Sequence, residues 1–278
     1  MPGLLVLDVD GTLLGPDDVV TPPVRAAIAA AHARGVAVAL ATGRRLRSTR
    51  PIVDELGIRL PLVLANGALV WDTASETPLH QAVFDAAVLH LVVEAALDAG
   101  LPPILLQGPL HGERLAAPHG AELAPYAWSY GRGWIDLDRL PPSQLARTPG
   151  VLMIELAGPE ARLRGVTGAL LNSGITVFHY RRSVPAAAAA GLTADIHMPG
   201  VSKLHAVQLL AADLDLTMAD VVAVGDGEND LPLLEAAGVG VAMGNAAPEV
   251  RARADAVVRG HDADGVAEAI ERFVLSPR

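Results

Sequence analysis

The sequence contains no cysteine, which excludes disulfide bonds, thiolate metal sites and a cysteine nucleophile. Long apolar runs are also absent: 51% of the residues are hydrophobic, yet no unbroken run approaches the roughly 18 residues that a membrane-spanning helix needs. The first residues lack the basic stretch that opens a secretory signal peptide. These absences predict a soluble, cytoplasmic protein without a membrane partner.

Basic residues are few and scattered. The formal net charge is -10, and no basic cluster stands out that would neutralise the phosphates of a nucleic acid. We therefore expect no nucleic-acid partner. An anionic substrate would need a metal ion or a few well-placed cations.

Lysine is almost missing. The 21 basic residues include a single lysine, Lys203, and the others are arginines. A chain that uses arginine so consistently keeps lysine where the planar guanidinium does not serve, because the ammonium is a compact point charge on a flexible stem. We interpret Lys203 as a functional residue, and the alternative is chance survival on a helix surface.

Short apolar runs that are typical of buried strands alternate with helical patterns towards both ends of the chain. The segments between them carry Thr, Pro and Gly at the positions where helices begin and end. This alternation predicts an α/β fold with a Rossmann-like, doubly wound parallel sheet. The Asn66-Gly67 pair predicts a hairpin turn, and residues 201–214 are predicted to form a helix with Lys203 in its first turn. The predicted strands cover residues 4–7, 36–41, 62–64, 221–224, 239–242 and 256–258.

The pattern changes in the middle of the chain. Residues 84–99 resemble a helix, and the following segment to residue 149 is rich in proline, glycine and turns. Strand patterns then occur at residues 151–156, 175–180 and 192–197. Because 278 residues suffice for two domains, we predict a core of residues 1–81 and 197–278 with an inserted α/β domain of residues 82–196.

Polar side chains follow the apolar runs where the strands would end. Asp8 and Asp10 come directly after the first run, Thr42 after the second, and Asp226 after a later one. Open α/β sheets bind ligands at the carboxyl ends of their strands, so we expect these side chains to lie together. Crowded carboxylates suit Mg²⁺, and a hydroxyl and a lysine suit phosphoryl oxygens. Taken alone, Asp8 and Asp10 fit a solvated acidic turn equally well.

The motifs, taken in order, resemble those of the haloacid dehalogenase (HAD) superfamily. They are Asp8-Val9-Asp10-Gly11-Thr12, Ala41-Thr42-Gly43-Arg44, Lys203 and Gly225-Asp226-Gly227-Glu228-Asn229-Asp230. The long insertion between Thr42 and Lys203 is similar to the C2-type cap of the Cof-type (type IIB) phosphatases, as are Asn66-Gly67-Ala68 and Met243-Gly244-Asn245-Ala246. One departure is Leu204, where this group often has glycine.

The resemblance implies a phosphatase that hydrolyses small phosphorylated metabolites through an aspartyl-phosphate. It implies Asp8 as the nucleophile, Asp10 as general acid and base, and Thr42 and Lys203 as the residues that hold the phosphoryl oxygens. The implied cofactor is Mg²⁺, with the Asp8 carboxylate, the Asp10 carbonyl and the Asp226 carboxylate as ligands. The substrate-binding residues that it implies are Gly43, Arg44, Asn66 and Asn229.

The sequence leaves alternatives open. A phosphomutase would use the same nucleophile and acid, and a non-catalytic phosphometabolite sensor would keep the same fold. Asp230 is predicted either to orient Lys203 or a metal-bound water, or to cap the helix that follows it. Arg44 is predicted to reach a phosphate or to pair with an acidic core residue. Neither the substrate nor the oligomeric state is specified.

Aromatic residues are rare, and four of the nine lie in one turn-rich segment of the inserted domain: Tyr126, Trp128, Tyr130 and Trp134. We hypothesise that this segment contacts the leaving group of the substrate, because aromatic rings offer a rigid apolar wall with polar edges. The alternative is that the rings pack a loop that has little other hydrophobic content.

Overall fold

The computed structural model describes residues 2–121, 137–180 and 192–276. The proposed aromatic contact at Tyr126, Trp128, Tyr130 and Trp134 lies outside the described residues and stays a prediction. The chain forms two compact units, one made of Met1–His80 and Ser202–Arg278 and the other of Gln81–Val201. The predicted boundaries at 81/82 and 196/197 lie close to these divisions.

The first unit is built around a five-stranded parallel sheet, as the sequence predicts. Its strands run in the order β14-β13-β12-β1-β2. They are β1 (Leu4–Leu7), β2 (Ala37–Leu40), β12 (Val221–Gly225), β13 (Val239–Ala242) and β14 (Ala256–Val257). Because β1 lies in the centre, the carboxyl ends of β2 and β12 flank the residues that follow it.

Burial on both faces explains why the central strand is a continuous apolar run. All four residues of β1 are buried. Leu4 and Val6 pack with residues of α6 (Lys203–Asp213), including Val207 and Leu210. The intervening Leu5 and Leu7 are equally buried and point to the opposite face.

A hairpin lies beside this sheet. Ala41 pairs in parallel with Val63, which places β3 (Leu62–Leu64) next to the end of β2. A tight turn at Ala65–Gly67 then reverses the chain into β4 (Leu69–Asp72), which is antiparallel to β3. The Asn-Gly pair was therefore correctly interpreted as a hairpin turn. The third strand of this small sheet is β5 (Thr77–Gln81).

The remaining helices of the first unit connect its strands. Thr21 caps α1 (Pro22–Ala33) by accepting a hydrogen bond from the backbone N–H of Val24. Gly35, at φ +77°, follows the end of this helix in the left-handed conformation. The others are α2 (Leu46–Leu56), α7 (Leu231–Ala236), α8 (Pro248–Arg253) and α9 (Gly265–Ile270).

The second unit contains a six-stranded mixed sheet that forms a hydrophobic cluster with its helices. Alternate residues of the same sheet form a second, smaller cluster. The strand order is β10-β11-β9-β6-β7-β8. The strands are β6 (Ile104–Gln107), β7 (Leu115–Pro118), β8 (Leu137–Leu140), β9 (Val151–Gly158), β10 (Thr176–Tyr180) and β11 (Leu192–His197). The helices are α3 (Ala86–Asp98), α4 (Pro142–Leu145) and α5 (Glu160–Asn172). The predicted α/β character of the inserted segment is confirmed.

Two sequence-based assignments need correction. The segment up to residue 149 was described only as turn-rich, yet it contains β6, β7 and β8; four-residue strands are too short to show a period between so many turn residues. Helices were also predicted to begin too early. Asp85 caps α3 and Ser202 caps α6, so Phe84 and Val201 lie outside these helices.

The described ranges include no helix that is both long and apolar enough to cross a bilayer.

Candidate active site

The chain leaves β1 through a tight turn, and the carboxylate of Asp226 packs against this turn. Asp8 follows the strand and is buried, and Gly11 has φ +77° within the turn Val9–Leu13. A Cβ atom on Gly11 would lie 2.3 Å from Oδ2 of Asp226, so only glycine fits here without displacing that carboxylate. Asp8 (φ -69°, ψ 163°) and Asp10 (φ -81°, ψ 123°) both have extended backbone angles, and the left-handed Gly11 follows them.

Lys203 lies completely buried in the first turn of α6. Its Nζ donates hydrogen bonds to Oδ1 of Asp8 and Oδ1 of Asp230, both at 2.6 Å. Burial alone would lower the lysine pKa, but the two carboxylates outweigh it and the pKa is raised. The side chain is therefore a charged ammonium between two acids, and chance survival on a helix surface is excluded.

Asp230 connects this lysine to the loop that follows β12. Its Oδ1 accepts the Lys203 hydrogen bond, while its Oδ2 accepts from the backbone N–H groups of Asp226 (3.1 Å) and Gly227 (2.8 Å). Asp230 occupies the N-cap position of α7, yet its side chain makes no capping hydrogen bond to that helix. The simple capping alternative was therefore wrong, and the side chain orients Lys203.

The carboxylates in this cluster outnumber its ammonium. Asp8, Asp226 and Asp230 each offer an oxygen within 4.8 Å of the others, with Lys203 as the ammonium that pairs with two of them. Burial and the charge of Asp230 raise the pKa of Asp8 well above its usual value, against the opposing effect of Lys203. Burial and Asp230 also raise the pKa of Asp226 to about 6. An added cation would relieve this repulsion.

Thr12 contributes a hydrogen-bond donor to the same cluster. Its hydroxyl donates to Oδ1 of Asp226 at 3.1 Å, which opposes the rise of that carboxyl pKa. The structure thus identifies Asp226 as the carboxylate that this hydroxyl orients.

Asp10 has a different cation partner from Asp8. Arg44 donates hydrogen bonds to both carboxylate oxygens of Asp10, from Nε to Oδ2 at 2.8 Å and from Nη2 to Oδ1 at 2.6 Å. Both side chains are partly exposed. Of the two alternatives for Arg44, the structure therefore shows the pairing with an acidic residue.

Thr42 and its neighbours form a hydrogen-bonded group at the carboxyl end of β2. Thr42 is fully buried at the end of β2; its Oγ1 accepts from the Arg44 backbone N–H and its carbonyl accepts from the Asn66 N–H. Oδ1 of Asn66 accepts a hydrogen bond from Nδ2 of Asn229 at 2.9 Å. A Cβ on Gly43 would lie 3.0 Å from the same Oδ1. The structure thus brings together three of the predicted substrate-binding residues.

Gly67 has a packing role that its hairpin signal did not reveal. It has φ +98°, and a Cβ there would lie 2.2 Å from the Ser202 carbonyl oxygen, directly before Lys203. The turn that carries Asn66 therefore packs against the start of α6. Sequence showed the turn but not the close approach, because the two segments are distant along the chain.

We expect Gly67→Ala to destabilise the protein and to impair the site, because the methyl group would displace the residue that caps α6. Gly57→Ala is the matched control: Gly57 also has positive φ (+64°) but has open space around its Cβ position. The control should lower the free energy of unfolding by about 1 kcal/mol through backbone strain alone. Gly67→Ala should lower it by about 1–3 kcal/mol more, because the added methyl group is overpacked. Urea denaturation measures both, and equal losses would contradict the close packing.

Comparison with known proteins connects this geometry to a family. Residues 5–108 and 186–270 match the family model described as haloacid dehalogenase-like hydrolase. The HMP-PP phosphatase of Cronobacter sakazakii is 30% identical over 91% of this chain and 88% of its own length. The 5-amino-6-(5-phospho-D-ribitylamino)uracil phosphatase YcsE of Bacillus subtilis is 25% identical, over 98% and 96% respectively.

A solved structure shows the same fold over nearly the whole chain. The subclass IIB sugar phosphatase BT4131 superposes with a TM-score of 0.81, covering 97% of this chain and 98% of that one. Its sequence identity is 22%, so this likeness concerns the fold.

Proposed function

Because this chain belongs to the haloacid dehalogenase-like hydrolases of the Cof type, and several of its relatives are named as phosphatases, we propose that it is a Mg²⁺-dependent phosphomonoesterase for a small phosphorylated metabolite. The observation that carries the proposal is the buried Lys203 between Asp8 and Asp230. A strand-end carboxylate held by an ammonium is a preorganised nucleophile beside a cation that can stabilise phosphoryl oxygens.

In the proposed mechanism, Asp8 attacks the phosphorus atom. Its Oδ1 accepts the hydrogen bond of Lys203, and within the described part of the chain Oδ2 has no hydrogen-bond donor. As the bond from an Asp8 oxygen to phosphorus forms, the bond from phosphorus to the leaving oxygen breaks. Lys203 and the Thr42 hydroxyl hold the non-bridging oxygens during this transfer.

Asp10 moves the proton in both steps of the proposal. It protonates the leaving alcohol, and it then takes a proton from the water that attacks the phosphorus of the aspartyl-phosphate and releases inorganic phosphate. Arg44 holds both oxygens of Asp10, so the guanidinium fixes the direction of this carboxyl before substrate arrives. Asn66 and Asn229 complete the proposed substrate contacts with Gly43 and Arg44.

The donor set fits a hard divalent cation such as Mg²⁺, which prefers oxygen ligands. Both oxygens of Asp230 already accept hydrogen bonds, so we propose Asp8, Asp226 and the Asp10 carbonyl as the residues that would hold the ion. When bound, Mg²⁺ would supply positive charge that screens the nucleophile from the substrate phosphate.

The test of this proposal is a panel of phosphorylated metabolites with and without Mg²⁺. We expect release of inorganic phosphate that depends on Mg²⁺, with sugar, polyol, pyridoxal and flavin phosphates among the candidates. Conversion of a sugar phosphate into its isomer without net phosphate release would identify a phosphomutase. Tight binding with no turnover of any compound would instead indicate a sensor.

The substrate stays open because the relatives differ in theirs. Their names specify HMP-PP and a phosphoribitylamino uracil. We propose that the second unit selects among such molecules, because it is similar to the C2-type cap of the Cof-type phosphatases. We also propose that the protein is cytoplasmic, because its sequence contains no cysteine for disulfide bonds.

The raised pKa of Asp226 predicts how Mg²⁺ binding depends on pH. This carboxyl must lose its proton to bind a cation, and in the metal-free protein its pKa is about 6. We expect the Mg²⁺ dissociation constant to rise as the pH falls below that value, by about tenfold per pH unit from Asp226 alone. The rise should be steeper still because Asp8, the other proposed carboxylate ligand, also has a raised pKa. Calorimetric titration without substrate measures this, and an affinity that stays constant through the acidic range would contradict it.

A further inference from the structure

Asn245 follows β13 at the same edge of the sheet as the acidic cluster, and its side chain joins three separate segments. Its Nδ2 donates to the Gly11 carbonyl at 2.8 Å and to Oδ2 of Asp226 at 3.2 Å. Its Oδ1 accepts from the backbone N–H of His261 at 2.9 Å. Reversing the amide would place its oxygen against two acceptors and its nitrogen against a donor, so the contacts fix one orientation.

These contacts complete the support of the Asp226 carboxylate. Thr12 donates to Oδ1 and Asn245 donates to Oδ2, so each oxygen has one side-chain donor and keeps lone pairs for another partner. The carboxylate also rests against the Cα of Gly11, where no side chain would fit. Its plane is therefore held from two sides.

The same amide also links the turn after β1 to the loop that contains His261. Nδ1 of His261 lies 2.9 Å from the carbonyl oxygen of Leu14, which ends that turn. Asn245 and His261 thus hold the turn at two points, in its middle at Gly11 and after its end at Leu14. The segments that carry Asp8 and Asp226 are fixed relative to each other through this bridge.

We propose that Asn245 is a positioning residue for cation binding, which orients the Asp226 carboxylate and holds it against the turn that carries Asp8 and Asp10. The inference rests on the proposed function, because it concerns the proposed Mg²⁺ site. Residues that orient a metal ligand commonly account for about 10–100-fold in metal affinity. Asn245 itself is exposed, so its loss should affect the fold little.

The test measures Mg²⁺ binding by calorimetry without substrate, beside kcat at saturating Mg²⁺. Asn245→Ala and the similarly sized Asn245→Leu both remove the donor. We expect each to raise the Mg²⁺ dissociation constant about tenfold, with a smaller loss in kcat once the ion is saturating. Asn172→Ala, at an exposed asparagine that ends α5 in the second unit, is the matched control and should change neither quantity.

The outcomes separate this inference from the function on which it rests. Native protein that binds no Mg²⁺ would contradict both. Native protein that binds Mg²⁺, with Asn245 variants that bind it equally well, would overturn the positioning role alone. Variants with reduced thermal stability and unchanged affinity would do the same, because they would show a purely structural contribution.

Discussion

Asp8→Asn is expected to abolish phosphate release while leaving the protein folded. The amide keeps the size of the side chain and can still accept the hydrogen bond from Lys203, but it cannot form the aspartyl-phosphate. Loss of a catalytic nucleophile typically costs about 10⁴-fold or more in turnover. Release of phosphate in the presence of Mg²⁺, with time courses that resolve slow residual turnover, measures the effect.

The thermal stability of the Asp8→Asn variant should not fall with its activity. The pKa of Asp8 is raised mainly by burial, which means that its charged form is unfavourable in the metal-free fold. A neutral amide removes that unfavourable charge, so the metal-free variant should unfold at the same temperature as the native protein or higher. Asp17→Asn is the matched control at an exposed aspartate and should retain activity. Retained turnover in Asp8→Asn would refute the assigned nucleophile.

Lys203→Met is expected to cause the largest loss of stability, together with a loss of activity. It leaves the buried carboxylates of Asp8 and Asp230 without their ammonium. Breaking a buried ion pair by removing one partner costs about 3–5 kcal/mol, and removing a charge that stabilises the transition state costs about 10²–10³-fold in kcat. Urea denaturation and phosphate release measure the two effects.

Two comparisons make this prediction specific. Arg25→Met breaks the partly exposed pair with Glu55, and such pairs contribute about 1 kcal/mol or less. Adding Asp230→Asn to Lys203→Met removes one of the unpaired carboxylates, so part of the lost stability should return. Equal unfolding free energies for Lys203→Met and Arg25→Met would show that the buried cluster does not depend on its lysine.

The centre of the site was predictable because it depends on short, local patterns. The apolar runs located the strands of a parallel sheet, and the sheet then required Asp8, Thr42 and Asp226 to meet at one edge. Lys203 was identified by composition, as the one lysine among many arginines. Each of these signals follows from burial or from residue choice at a single position.

The partners of these residues were not predictable in the same way. Pairing with an acidic residue was the less favoured of the two alternatives for Arg44, because sequence spacing does not give the direction of a side chain. For Asp230, orientation of Lys203 was favoured, but a helix cap stayed open for the same reason. Asn245 contacts Gly11 across 234 positions of sequence. Its motif was recognised, yet its role depends on how two distant strand ends lie side by side.

The strands β6, β7 and β8 were missed for a physical reason. A helix of ten or more residues shows its period over several turns, whereas a strand of four residues shows two alternations at most. In this segment prolines and glycines surround each strand. The local pattern therefore indicated turns, and the pairing that makes these segments a sheet is long-range.

The complete burial of the single lysine has a practical consequence for studying this protein. A lysine-specific protease has one target bond in the sequence, between Lys203 and Leu204, and it lies at the start of α6 with the lysine side chain enclosed by two carboxylates. Folded protein should therefore resist that protease. Cleavage would report opening of the proposed catalytic centre, which makes limited digestion a direct measure of how often the buried Lys203–Asp8–Asp230 cluster opens.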